Sequence, residues 1–338
     1  MLLVTGDLHL NNNPRDRYRH NWVKTLPDLI RQYKVDGVAL LGDLTDAKDY
    51  HPGILVNDVV AHVARVAQLV PTVIDEGNHD YASLTEVAFF TFLKSLPNTH
   101  WVNKPTFGEE LPTKHMQALF KDCLLLPHTP NHERDWNNLD MKRLRFIFAH
   151  NTFAGASADS GRKLDGIPTK VFPMDAHVIS GDIHTPQSFD QITYVGSPYT
   201  VDFGDDFAPR FLLLDGTKVT SVRCSGPQKR LLDIDADKKP LPKGFMRGWN
   251  EGDIVMVRVH LTQAQYPKFS EFRDGVYAWG ERHKLIIHQV SAVVDRSITP
   301  IKQTTTHQAR PDSEHVKDFA KSRSIDKDTL KIGLEIVS

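Results

Sequence analysis

The chain has 338 residues, room for two domains, and with 40% apolar and 25% charged residues it has the composition of an ordinary globular protein. A formal net charge of -1 excludes attraction of a polyanion by the average surface, so any nucleic acid must meet a local basic patch. Two distant cysteines, Cys123 and Cys224, exclude a disulfide framework and a CxxC knuckle, and the absence of a membrane-length apolar run or a signal-peptide pattern points to the cytoplasm.

Residues 2–5 are short and apolar, the pattern of a strand buried on both faces, and they end at Gly6-Asp7-Leu8-His9. Asp7 and His9 are two apart and project to one side of an extended strand end. A polar loop with Arg15, Arg17, Tyr18 and Arg19 follows. Trp22, Leu26, Leu29, Ile30 and Tyr33 then recur at helical spacing, interrupted by Pro27. Val38 to Leu41 predicts a second strand, ending at Asp43 and Asp46. A helix over 54–69 leads to a third strand at 72–74 and to Gly77-Asn78-His79-Asp80. Another helix is predicted over 84–96.

Residues 124–126 and 144–149 predict further strands, the second delivering His150. Residues 176–180 deliver Asp182 and His184 from Gly181-Asp182-Ile183-His184. The short segments at 192–195, 211–214, 219–222 and 231–234 predict a mainly antiparallel second sheet. The expected fold is α/β, two sheets in a sandwich with helices outside, over residues 1–235. Residues 236–252 read as a linker, and 253–300 as a small appended α/β domain with a strand at 254–259, a helix at 270–279 and a strand at 285–294. Residues 301–338 read as a mobile segment and a helical tail, with apolar patches at Val316, Phe319 and Ala320 and at Leu330, Ile332, Leu334 and Ile336.

A lone GDLH or GDLTD is an ordinary strand-end turn. Here every cluster follows its own apolar run, and in open α/β sheets ligands gather at the carboxyl ends of strands. Together these ends supply Asp7, His9, Asp43, Asn78, His150, Asp182 and His184, more ligands than one ordinary transition-metal ion requires. Two ions ~3.5–4 Å apart clamp the attacking and leaving oxygens of an in-line phosphoryl displacement. Asp43 is the natural bridge, because a carboxylate has two oxygens to share. Asn78 offers a neutral oxygen. His79 can protonate the leaving oxygen without binding metal. Asp80 reads as a residue that orients His79 or caps the next helix, with a smaller cost of loss.

The order GDLH, GDLTD, GNHD, a later His and G-x-x-H resembles the calcineurin-like metallophosphoesterases, over residues 1 to about 232. Within them, Tyr194-Val195-Gly196-Ser197-Pro198-Tyr199 and Val201-Asp202-Phe203-Gly204-Asp205 resemble the segment that closes the phosphoesterase domain of SbcD-type DNA repair nucleases. The resemblance implies a manganese-dependent nuclease, exonuclease or endonuclease, working in recombination or repair with an SbcC-type coiled-coil ATPase bound through the tail. It makes Asp7, His9, Asp43 and His184 ligands of one metal, Asp43, Asn78, His150 and Asp182 ligands of the other, and His79 the catalytic histidine. The superfamily commonly has His where this chain has Asp182. A third carboxylate lowers the bare site from about +2 to about +1 and favours Mn²⁺ or Mg²⁺ over Zn²⁺.

Arg15, Arg17, Tyr18 and Arg19 are candidates for DNA contact, whereas Tyr199 and Phe203 read as packing. A phosphatase or small-molecule phosphodiesterase on the same fold, and a silent scaffold for the ATPase, are the competing readings. A homodimer is compatible with the pattern. The chain's compactness would suit a viral recombination system, in which case the host cytoplasm is the compartment.

Overall fold

The computed structural model describes residues 1–83, 86–158, 161–237, 246–294, 317 and 319–321. The chain divides into two compact units, Met1–Val294 and Asp295–Ser338. The first contains three sheets.

In the first sheet, strands Leu2–Gly6, Gly37–Leu41, Thr72–Asp75 and Thr99–Val102 run parallel, and the hairpin Arg210–Asp215 with Lys218–Arg223 adds antiparallel beside Leu2–Gly6. The second sheet has a parallel centre of Cys123–Leu126, Phe146–His150, Val178–Gly181 and Ile192–Tyr194, edged by antiparallel Thr106–Phe107 and Gln187–Phe189.

Alternation along each strand explains the layering. Leu2, Val4, Ala39, Leu41, Leu212 and Leu214 pack with Leu125, Phe146, Phe148 and Ile179 between the sheets. Their neighbours Leu3, Val38, Leu40 and Leu213 face outward, onto Trp22, Leu26, Ile30, Val59 and Val63. On the far side Leu124, Leu126, Ile147 and Val178 meet Trp136, Phe153 and Phe172. Both faces of the central strands of both sheets are buried, and each fully buried aliphatic side chain contributes ~1.5–3 kcal/mol.

Several expectations are revised. The segments at 211–214 and 219–222 belong to the first sheet, where Leu213 pairs with Leu3, and the second sheet is mainly parallel. The segment at 231–234 lies in neither: strand Lys229–Asp235 pairs parallel with Ile254–Leu261 in the third sheet, completed by Ile286–Val294. That sheet therefore starts inside the range expected for the first domain. Its core is Val255, Val257, Val259 and Leu261 against Val276 and Phe272 of helix Phe269–Arg282.

The stripe from Trp22 to Tyr33 is two helices, Arg17–Val23 and Leu26–Tyr33, with Pro27 in the first turn of the second, where its missing N–H costs nothing. The predicted helix at 84–96 is a 3₁₀ helix, Phe89–Ser95. Phe90 and Leu93 are buried at its three-residue repeat while Phe89 and Phe92 stay exposed. Leu84 and Thr85, residues 238–245 of the expected linker and most of the expected tail lie outside the described residues; Lys317 and residues 319–321 are helical.

Candidate metal centre

The carboxyl ends of the parallel strands converge between the two sheets. Asp7 and His9 follow Leu2–Gly6, Asp43 follows Gly37–Leu41, Asn78 and His79 follow Thr72–Asp75, His150 ends Phe146–His150, and Asp182 and His184 follow Val178–Gly181. The loops come very close. A Cβ on Gly77 would lie 2.2 Å from Asp43 Oδ1, and one on Gly181 would lie 2.4 Å from the Leu41 carbonyl and 2.8 Å from His150 Nδ1. Glycine in the GNHD and GDIH motifs is therefore a requirement of approach. Asp7, His9, Asp43 and Asp182 all take positive φ (51°, 40°, 53° and 83°), a conformation costly outside glycine and concentrated at functional sites.

Three groups of side chains bring their ligand atoms within 4.8 Å of one another: Asp7 with His9 and His184, Asp7 with Asp43 and His150, and His9 with Asp46 and His79. Asp7 is common to the first two groups, and Asp43 of the second also reaches His9 of the first. Asp43 Oδ2 is 3.5 Å from His9 Nε2 and its Oδ1 is 3.4 Å from His150 Nε2, so each oxygen serves a different imidazole. His150 Nδ1 donates to the Leu41 carbonyl at 2.7 Å, which turns Nε2 inward. Asp7, His9, Asp43 and His150 are buried, while Asn78, His79, Asp182 and His184 are partly exposed.

Burial and the neighbouring charges act against each other here. Burial pushes Asp7 up to about 6 although His150 and His184 pull it down. Burial also disfavours ionised Asp43, but the His150, His9 and His79 imidazoles outweigh it and hold this carboxyl well below its usual range. In His150, burial is outweighed by Asp43, Asp7 and Asp182, which raise it well above an ordinary histidine. Burial holds His9 well below the usual value. These are the signs of carboxylates and imidazoles packed together to share positive charge.

The donor set fits divalent cations. Asp7 Oδ2 and His9 Nδ1 are buried without a hydrogen-bond partner. His9 Nε2 and His184 Nε2 are 2.9 Å apart. The Asn78 side-chain oxygen faces His150 Nε2 at 3.2 Å and the two Asp43 oxygens at 3.2 and 3.1 Å; without a cation the amide would turn its nitrogen to them. Carboxylates, imidazoles and an amide oxygen pointed at one another are the surroundings of a divalent ion.

Asp80 does a different job from the one its position predicts. Its carboxylate accepts the backbone N–H groups of Asp43 at 3.0 Å, Leu44 at 3.0 Å and Gly77 at 2.7 Å, so it neither orients His79 nor caps a helix. His79 is oriented instead by the Asp46 carbonyl, 2.7 Å from its Nδ1, and by its own N–H, which donates to Asp43 Oδ1 at 2.8 Å. Asp46 is the residue that sequence reasoning left unassigned, although it closes the GDLTD motif. Asp182 lies outside the three groups. Its backbone N–H donates to Asp7 Oδ1 at 2.9 Å and its side chain accepts the Thr152 hydroxyl.

The expected DNA contacts divide. Arg19 is 2% exposed and donates to the carbonyls of His9 at 2.6 Å and Val201 at 3.0 Å. Tyr18 is also buried and donates to the Thr200 carbonyl at 2.6 Å. Neither presents a surface to a phosphate, which corrects the expectation for this pair. Arg15 and Arg17 are exposed, Arg17 pairing with Asp58 at 2.7 Å. Tyr199 is buried and its hydroxyl donates to the Leu8 carbonyl, as packing requires.

Residues 1–198 match the family model of the calcineurin-like phosphoesterases. The chain belongs to that family. Calcineurin-like phosphoesterases hydrolyse phosphoesters with divalent metal ions, in keeping with the clustered carboxylates and imidazoles. A similar solved structure is YfcE, a phosphoesterase from E. coli, 13% identical, covering 66% of this chain and 99% of that one with a TM-score of 0.33. Among curated proteins none matches. This calcineurin-like phosphoesterase has no helix, among the described residues, long and apolar enough to cross a membrane.

Proposed function

We propose that this phosphoesterase is a two-metal DNA nuclease, most active with Mn²⁺, that hydrolyses phosphodiester bonds as the nuclease subunit of a repair or recombination complex with an SbcC-type ATPase. The observation that supports it most is the position of Asp43, with one oxygen toward His9 and the other toward His150. Two bound divalent ions supply a polarised phosphoryl oxygen and an activated water. Asp7, His9, Asp43 and His184 would hold one ion, and Asp43, Asn78, His150 and Asp182 the other.

The chain's own groups do the rest. Water's oxygen bonds to phosphorus and releases its proton to solvent as the bond to the leaving oxygen breaks. With His79 Nδ1–H given to the Asp46 carbonyl, a proton carried on Nε2 is the one available to the leaving oxygen. The buried network from Arg19 to the His9 carbonyl keeps that ligand's loop in its strained conformation. The sequence at 194–205 and the three-stranded module after it support the nuclease over a phosphatase, which needs only the sandwich.

Linear DNA incubated with the purified protein and Mn²⁺ is expected to be cut, and His79→Ala to lose that activity by ~10²-fold or more. Turnover of nitrophenyl phosphates without DNA cleavage, even with the ATPase supplied, contradicts the nuclease reading. Deletion of residues 312–338 is expected to abolish co-purification with the ATPase while metal binding persists; unchanged co-purification contradicts the role given to the tail.

A further inference from the structure

Beside the metal centre lies a cavity of about 460 Å³ that the proposed hydrolysis does not use. One wall is the loop of the metal ligands themselves: Glu76 and Tyr81 flank Asn78 and His79. The facing wall is His128, just beyond strand Cys123–Leu126. The Tyr81 hydroxyl is hydrogen-bonded to His128 Nδ1, and the His128 ring stands 6.4 Å from that of His150. Thr129, also in the wall, has its N–H and carbonyl held by the Asn151 side chain next to His150. The cavity and the metal centre therefore share a partition one side chain thick.

Its lining fits a flat, uncharged ring better than a second phosphate. Pro105, Pro127 and Pro130, with Tyr81 and Trp136, offer flat apolar faces. Charge is mixed, Glu76, Glu86 and Asp135 against Lys104 and Arg134, and Arg134 is already bound to Asp135 at 2.6 and 2.9 Å. No excess of cations is left to draw an anion. Hydrogen-bonding capacity remains: the Asn103 amide has no partner among the described residues. The Trp136 indole N–H is buried without an acceptor.

From these features we propose that the cavity is a nucleoside subsite, taking the base and sugar attached to the scissile phosphate. It rests on the phosphodiesterase reading of the metal centre and adds where the nucleoside next to the scissile phosphate is held. The volume is that of pockets for ligands of this size, and apolar faces share the lining with polar groups. Tyr81 and His128 position the nucleoside wall relative to the phosphate, and Asn103 reads the ring edge.

The test compares thymidine 5′-(p-nitrophenyl) phosphate with methyl p-nitrophenyl phosphate, which share a leaving group and differ in the nucleoside. With Mn²⁺, the wild-type protein is expected to favour the thymidine ester in kcat/KM by ~10-fold or more. Asn103→Tyr fills the cavity from an exposed position and is expected to bring the ratio to about one by removing the preference for the thymidine ester. An unchanged ratio in Asn103→Tyr, or no preference in the wild type, overturns the proposal. Adenosine binding to the metal-free protein, followed by saturation-transfer NMR, is an independent readout: binding by the wild type that weakens at least ~10-fold in Asn103→Tyr is expected. Equal binding by both, or by neither, overturns the subsite. If adenosine binding behaves as expected and neither ester is hydrolysed, the phosphodiesterase reading fails and the nucleoside site stands.

Discussion

Asp80 accepts the backbone N–H of Asp43 at 3.0 Å, so the residue that faces both His9 and His150 is held by a carboxylate from the neighbouring strand end. The same carboxylate takes the N–H of Leu44 and of Gly77. It joins the GDLTD and GNHD loops, and its removal leaves three buried donors unpaired.

Asp80→Ala should therefore be severe. Each orphaned N–H costs ~1–3 kcal/mol, and because the losses share one loop the sum should be about 3–5 kcal/mol. Urea unfolding at neutral pH measures it. Asp80→Asn keeps one acceptor oxygen and should lose about half as much. A loss under about 1 kcal/mol in the alanine variant would contradict the bracing role.

Arg19 and Arg17 are two positions apart and should respond oppositely. Arg19→Met leaves the His9 carbonyl without its donor, while Lys229 still meets the Val201 carbonyl and Asp16, so a loss of about 1–3 kcal/mol should be visible in thermal unfolding. Arg17→Ala removes an exposed pair with Asp58 and should cost under about 1 kcal/mol. If the loop meets DNA, Arg15→Ala and Arg17→Ala should each lower the slope of log affinity against log salt by about 1. A slope unchanged in both variants would take the loop out of the interface.

His62 gives a pH signature away from the metal centre. Burial, with the charge of His20 3.2 Å away, lowers it to about 4 from an ordinary 6.5. Between these values the unfolded chain binds a proton that the folded chain does not. Stability should then fall as pH drops from about 6.5 toward 4, and be fully present above 6.5. The wild-type difference in unfolding free energy between pH 7 and pH 5 should exceed that of His62→Gln by about 1–2 kcal/mol. Identical pH dependence in both proteins would contradict this assignment.

The ligand strands were legible because each reads as a short apolar run ending in Gly and a polar pair, a pattern carried entirely by adjacent residues. Sheet membership was not. Nothing local to residues 210–223 says that they pair with Leu2–Gly6 rather than with their sequence neighbours. Arg19 looked like surface because it sits among charged residues, but its acceptors at His9 and Val201 come from segments far apart in the chain. The role of Asp80 is hidden in the sequence for the same reason, since its partners at 43 and 44 are a strand away. The Tyr81 and His128 pair was invisible until two strand ends were set side by side, although Pro127-His128 repeats the strand-then-polar signal of the other clusters.

The number of metal ions held per chain tests the central claim most directly. Titration calorimetry of the metal-free protein with Mn²⁺ should give two ions per chain, and Asp43→Ala should weaken both because one Asp43 oxygen faces His9 and the other His150. A wild-type chain that binds one ion or none, or an Asp43→Ala chain that still binds two with unchanged affinity, would contradict the two-metal centre.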